Sequence, residues 1–311
     1  MNVIEVRNLT KRYGGTTALE NVSFALTDGV VYGVLGTNGS GKSTLLRLLA
    51  TLERPTSGSI TVLGKEVDRA PRSVRREIGF VPEGFAIGRG FTVGEHLDYF
   101  ATCYGLRKRE RASAVDTMLQ LVDLEGWRDR DAVELSRGQR QRLALATAMV
   151  HNPTALVMDE PLAGLDALGR SEMLEVLKEL RTMGKVVILS GYNLAEIGHL
   201  CDAIGLLHQG RLVASGPMGE VLAVEAPAER QVRLEVARGL ELARALLLTV
   251  PEAQDLVAEG SSLTFTLAGD DAVLPSVLHR LINAGVQIRR FTLDTPEADG
   301  ALARTFQELA A

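Results

Sequence analysis

Nine consecutive residues, Gly36-Thr37-Asn38-Gly39-Ser40-Gly41-Lys42-Ser43-Thr44, carry the clearest chemistry in the sequence. They follow an apolar run at 31–35 and open a helical run at 45–50. That setting suits a loop that closes around phosphate. Glycines let backbone N–H groups approach phosphate oxygens, a helix N-terminus adds partial positive charge, and Lys42 brings a full charge to the β/γ region. Ser43 has a hydroxyl able to ligate Mg²⁺. Gly36 and Asn38 to Thr44 are therefore candidate nucleotide-binding residues. A Gly-rich turn with no ligand is the plainer alternative, and the strand before and helix after argue against it. By itself the motif specifies a nucleotide and no particular reaction.

Two further segments extend the chemistry. Ala155-Leu156-Val157-Met158-Asp159-Glu160 reads as a buried strand ending in adjacent carboxylates, which alternation points in different directions. In phosphate-loop enzymes an Asp at such a strand end holds Mg²⁺, so Asp159 takes that task and Glu160 becomes the candidate general base for water. A solvated acidic pair is the alternative, disfavoured by the wholly apolar strand. In Leu135-Ser136-Arg137-Gly138-Gln139, Ser136 and Gln139 have the S-x-x-Q spacing of a capping box ahead of a helical run at 140–150. The exposed N–H groups and the Ser136 hydroxyl make a second anion site, far in sequence from the first. A second site invites a second subunit.

The elements that must position these residues read as an α/β core. From residue 2 to about 219, short apolar runs alternate with helical periods; 31–35, 156–158 and 186–189 read as buried parallel strands. Shorter alternating runs at 2–6, 23–26 and 59–63 suggest a small antiparallel sheet, and 95–149 reads as a helical subdomain. The pattern breaks around Pro227, giving a first domain at 1–224, a linker at 225–230 and a second domain at 231–311. The second domain runs strand (232–236), helix (240–249), strands (255–258 and 262–267), helix (272–284), strand (286–293). That order fits a small α+β, ferredoxin-like sandwich.

Composition narrows the classes. The chain has 311 residues, 46% hydrophobic and 23% charged, enough for two cores. Its net charge of -5 counts against a broad nucleic-acid surface. No apolar run approaches the roughly 18 residues of a spanning helix, and the first residues lack the features of a secretory signal. Cytoplasm is the expected address. Cys103 and Cys201 belong to no metal or redox spacing.

With these motifs in this order, residues 1–219 resemble the ABC ATPase family. The resemblance implies a P-loop fold with a RecA-like core, an antiparallel β subdomain and a helical subdomain, with ATP and Mg²⁺ as cofactors. It implies that Tyr13, in Lys11-Arg12-Tyr13-Gly14, stacks on adenine; a packed turn aromatic is the alternative. It places Asp166, in Ala163-Gly164-Leu165-Asp166, in a D-loop that touches a second subunit. Two such subunits, identical or different, pack head to tail, so that Ser136, Gly138 and Gln139 serve the partner's nucleotide. The segment at 83–94 would couple to a transmembrane permease, holding the chain on the inner face of the cell membrane.

Three positions depart from the family pattern. Glu83 stands where the family has a Q-loop Gln; it can still ligate Mg²⁺, but adds negative charge beside phosphate. Tyr192 stands at the switch-histidine position, and a neutral phenol cannot carry positive charge to the γ-phosphate. Arg137 replaces a signature Gly, either reaching the partner's γ-phosphate or facing solvent. Glu83, Tyr192 and the base Glu160 are thus candidate catalytic residues of a slowed site, unless Glu83 and Tyr192 compensate each other. The expected function is ATP hydrolysis that powers a permease, with export favoured. Alternatives are a soluble ABC ATPase or an ATP-binding switch uncoupled from transport.

Overall fold

The computed structural model describes residues 2–192, 194–223, 229–268 and 273–294. The chain divides into two units, Met1–Val221 and Leu222–Ala311. The division falls inside a short helix, α8 (Met218–Ala223), just ahead of the expected boundary at 224.

In the first unit an antiparallel sheet has the order β2-β1-β4-β5, formed by β1 (Asn2–Tyr13), β2 (Thr16–Thr27), β4 (Ser57–Val62) and β5 (Lys65–Glu66). The strands expected at 2–6 and 23–26 are only the regular parts of two 12-residue strands. Their pairing register shifts four times. Each bulge interrupts period-two alternation, which hides the remainder from a pattern reading.

The runs without alternation form the middle of a six-stranded sheet, because a strand covered on both faces gains from burying every side chain. β3 (Val31–Leu35) and β7 (Ala155–Met158) are buried at every position, and β8 (Val186–Gly191) at all but its last. With β6 (Ile78–Val81) and β9 (Ala203–His208) they run parallel, and β10 (Arg211–Pro217) adds an antiparallel edge. The order is β10-β9-β3-β8-β7-β6. Leu45, Leu46, Leu48 and Leu49 of α1 (Lys42–Leu49) share a buried cluster with residues of both sheets, including Ile4, Leu19, Val34 and Val157.

The helical subdomain consists of α3 (Val93–Cys103), α4 (Lys108–Leu121) and α5 (Arg137–Met149), with 3-10 turns at Glu125–Trp127 and Ala132–Glu134. Thr92 and Glu95 form a capping box that starts α3. Three more helices, α2 (Pro71–Val74), α6 (Ala167–Thr182) and α7 (Leu194–Ile197), complete the unit.

The second unit runs β11 (Glu229–Arg238), α9 (Leu240–Leu247), β12 (Ala253–Glu259), β13 (Ser262–Ala268), α10 (Val273–Asn283), β14 (Gln287–Asp294). Its sheet order is β12-β13-β11-β14 with antiparallel neighbours, the split arrangement of a ferredoxin-like sandwich. Val232, Leu234, Leu263 and Phe265 are buried with Ala243 and Leu247 of α9 and Val277 and Leu281 of α10. The linker boundary differs from expectation. Glu229 and Arg230, read as linker, belong to β11, where they pair with Ala268 and Leu267. The rest of the break, 224–228, lies outside the described residues, as does 295–311. No described helix is long and apolar enough to cross a membrane.

Candidate functional site

The parallel strands deliver the candidate residues to one edge, because side-by-side parallel strands end on the same side of a sheet. The phosphate loop leaves the end of β3 and Asp159-Glu160 the end of β7. Glu83 follows β6, and Tyr192 follows Gly191 of β8, which pairs with Leu35 at the end of β3. Loop residues between Asn38 and Thr44, together with Glu83 and Glu160, line one open cleft of about 400 Å³.

The loop's shape comes from its glycines. Gly41, at φ 107, precedes the first residue of α1, and a Cβ there would lie 2.6 Å from the Ala18 carbonyl oxygen. Lys42 is buried and donates to the carbonyls of Gly36 at 2.8 Å and Thr37 at 3.1 Å. Its Nζ lies 3.9 Å from Glu160 Oε1. Burial lowers the Lys42 pKa, against the pull of Glu160, Asp159 and Glu83. Burial likewise raises the pKa of Glu160; Lys42 opposes that shift, and Glu83 and Asp159 add to it.

Behind the cleft lies a residue that the motifs do not name. Ser190, 1% exposed, donates to Asp159 Oδ1 at 2.8 Å and accepts from the Glu160 backbone N–H at 2.8 Å. Glu160 itself has φ 47, a left-handed conformation that is uncommon for a side chain of this type. Ser190 therefore holds both carboxylate residues in place. The available signal was a hydroxyl at the end of the apolar run 186–189. Asp159 is further fixed by its own N–H, which donates to the Val81 carbonyl at 2.8 Å.

Three oxygen donors, the Ser43 hydroxyl and the Asp159 and Glu83 carboxylates, suit a hard cation such as Mg²⁺. Among the described residues no group of three or more His, Cys, Asp or Glu could hold a metal. Ser43 and Glu83 line the cleft, whereas Asp159 is 3% exposed and bonded to Ser190, so a cation held there would draw the rest of its shell from phosphate oxygens.

The remaining candidates lie elsewhere. Ser136, Gly138, Gln139 and Asp166 line a separate cleft of about 370 Å³. The capping box is formed: the Gln139 N–H donates to Ser136 Oγ at 3.3 Å, and the Ser136 N–H to Gln139 Oε1 at 2.9 Å. Asp166 caps α6, accepting from the Gly169 N–H at 2.8 Å. Arg137 follows neither expectation in full. It is exposed, but its guanidinium is held within its own chain, where Nη2 donates to the Ala163 carbonyl at 3.2 Å.

Tyr13 and Tyr192 line neither cleft. Tyr13 is 44% exposed, its hydroxyl bonded to Glu53 and its ring covered on one side by Lys11 Nζ, 4.8 Å from the centroid. Tyr192 is 57% exposed.

The profile of the family described as "ABC transporter" matches residues 19–163. The chain is 38% identical over 213 residues to the Nod factor export ATP-binding protein I of Sinorhizobium fredii, covering 68% of this chain and 62% of that protein. It is 36% identical over 296 residues to the sulfate/thiosulfate import ATP-binding protein CysA of Mycobacterium tuberculosis, covering 92% and 81% respectively. Among solved structures, a dimeric ATP-binding cassette in a post-hydrolysis state, bound to ADP and Pi, matches with TM-score 0.63 and 26% identity, covering 69% of this chain and 98% of that one.

Proposed function

Because the chain belongs to the ATP-binding proteins of ABC transporters, an ATP-hydrolysing family, we propose that it works as a dimer that powers a separate transmembrane permease. The observation that carries this reading is the pair of clefts. The phosphate loop and Glu160 line one, Ser136 and Asp166 the other, so each chain offers two unlike halves. Head-to-tail pairing joins unlike halves into two complete sites, each holding ATP between subunits.

In such a site Lys42, already aimed along the loop, gives its charge to the β- and γ-phosphates. Ser43, Asp159 and Glu83 would hold Mg²⁺, which when bound neutralises phosphate charge. Glu160 accepts the proton of the attacking water as the water oxygen bonds to the γ-phosphorus and the bond to ADP breaks. Its raised pKa makes it a stronger base than an ordinary carboxylate. Tyr13 offers its open face to adenine. Ser136 and the first N–H groups of α5 meet the partner's γ-phosphate.

The site is slowed, on this reading, because Tyr192 supplies no cation and Glu83 adds an anion. Loss of one preorganised contact to the transition state typically costs about 100- to 1000-fold in rate. An ATP-binding switch is the second reading, favoured by the same two residues, and measured turnover separates the two. For direction we take export, as in the Nod factor relative, with import, as in the CysA relative that spans 92% of this chain, as the competing case. The test is reconstitution of the co-purified permease complex in vesicles, with ATP supplied on the side of this subunit. Export predicts ATP-driven movement of solute away from that side; movement toward it, or none, contradicts the proposal.

A further inference from the structure

We propose that Arg137 is a positioning residue that clamps the turn at 163–166 to the head of α5, tying the cleft that meets the partner's ATP to the general base of its own site. The inference rests on the reading of the two clefts as halves of different composite sites.

Arg137 is the first residue of α5, where a cation opposes the helix macrodipole. Its guanidinium turns back from the helix to donate to the Ala163 carbonyl. The next residue, Gly164, has φ 65, and a Cβ built there would overlap the guanidinium carbon and both terminal nitrogens. The planar group thus sits directly on the bare backbone of Gly164. A side chain at 164 would have to displace the guanidinium from that seat, and φ 65 strains any residue but glycine there. Only a planar, multi-donor cation can both stack on the peptide and donate to its carbonyl.

The turn continues the connection. The Ala163 N–H donates to the Glu160 carbonyl at 3.1 Å, and the Leu165 N–H to the Leu162 carbonyl at 3.3 Å. One covalent and hydrogen-bonded path thus runs from the Ser136 cap through Arg137 and Ala163 to the backbone of Glu160. Asp166 closes the same turn as the cap of α6. An α5 head displaced by the partner's ATP would carry this turn with it, and any coupling of this kind acts in both directions.

The test uses Arg137→Ala, Arg137→Lys, Gly164→Ala and the double Arg137→Ala/Gly164→Ala variant of the full chain. In nucleotide-free protein, amide exchange at 163–166 should rise about five-fold or more in Arg137→Ala, the weight of one ordinary hydrogen bond, while β3 and β7 stay protected. Arg137→Lys should behave like Arg137→Ala, because an ammonium lacks the planar fork. In ATPase assays kcat should fall with KM nearly unchanged. The Gly164→Ala penalty should be smaller in the Arg137→Ala background, because the clash is gone and only backbone strain is left. Unchanged exchange, full rescue by lysine, or strictly additive effects would overturn the clamp. A parent protein that hydrolyses no ATP would instead contradict the proposed function, and the exchange measurement would still decide the clamp.

Discussion

Glu160 is drawn in two directions by its neighbours: Lys42 favours its charged form, while burial, Glu83 and Asp159 disfavour it, and the second set prevails. A general base works only when deprotonated, so a raised pKa means that the rate is lost sooner as pH falls. Replacing Glu83 by Gln removes one influence that raises the Glu160 pKa. The acid limb of the kcat–pH profile should therefore move to lower pH in Glu83→Gln, and an unmoved or upward-shifted limb would contradict the assignment. Adding Tyr192→His restores a potential cation beside the γ-phosphate. The double variant should raise kcat about 10-fold or more with little change in ATP affinity, since on the proposed reading the ground state is held by Lys42, Ser43 and Asp159. Turnover at or below that of the parent would refute the slowed-site reading. At this scale the sequence was legible wherever the ligand dictates residue type, as in the loop from Gly36 to Thr44. Ser190 and the Arg137 seat were not, because their partners lie 31 and 26 residues away in sequence and only the folded sheet brings them together.

Between elements, one ring pair joins the helical subdomain to the sheet. Tyr104 ends α3, and His151 lies between α5 and β7; their rings stack with centroids 3.5 Å apart and planes 5° from parallel. Burial leads in pushing the His151 pKa down to about 4. The native form is therefore neutral, whereas the unfolded chain takes up a proton below about pH 6.5. Stability that depends on this group is fully present above the unfolded value and is lost as pH falls from there toward about 4. His151→Phe keeps the ring stack and removes the proton site. Its Tm should fall less than the parent's between pH 7 and pH 5; an equal fall would show that other groups govern acid sensitivity. The element pattern itself was only partly legible. The apolar runs of β3, β7 and β8 declare themselves, since nothing but burial on both faces explains them. The hairpin of β1 and β2 was half hidden by its bulges; β9 is a short run buried at its four central positions, and the alternation of β10 is broken by a register shift between Leu212 and Ala214.

At the scale of the molecule, the first unit carries two unlike clefts, and no single chain brings its Ser136 to its own Lys42 cleft. On the proposed reading two chains complete each other head to tail, and mixing two inactivated variants distinguishes that pairing from independent sites. Lys42→Ala removes the only cation of the phosphate loop, and Ser136→Arg blocks the cleft that receives the partner's nucleotide. In a pure sample of either variant, both composite sites carry a lesion, so ATP should induce no dimer by light scattering. In a mixed pair, both lesions fall in one site and the other is intact, built from the Lys42 of one variant and the Ser136 of the other. The mixture should regain ATP-dependent dimerisation and part of the parent's turnover. A mixture that remains monomeric with ATP, under conditions where the parent protein dimerises, would contradict it.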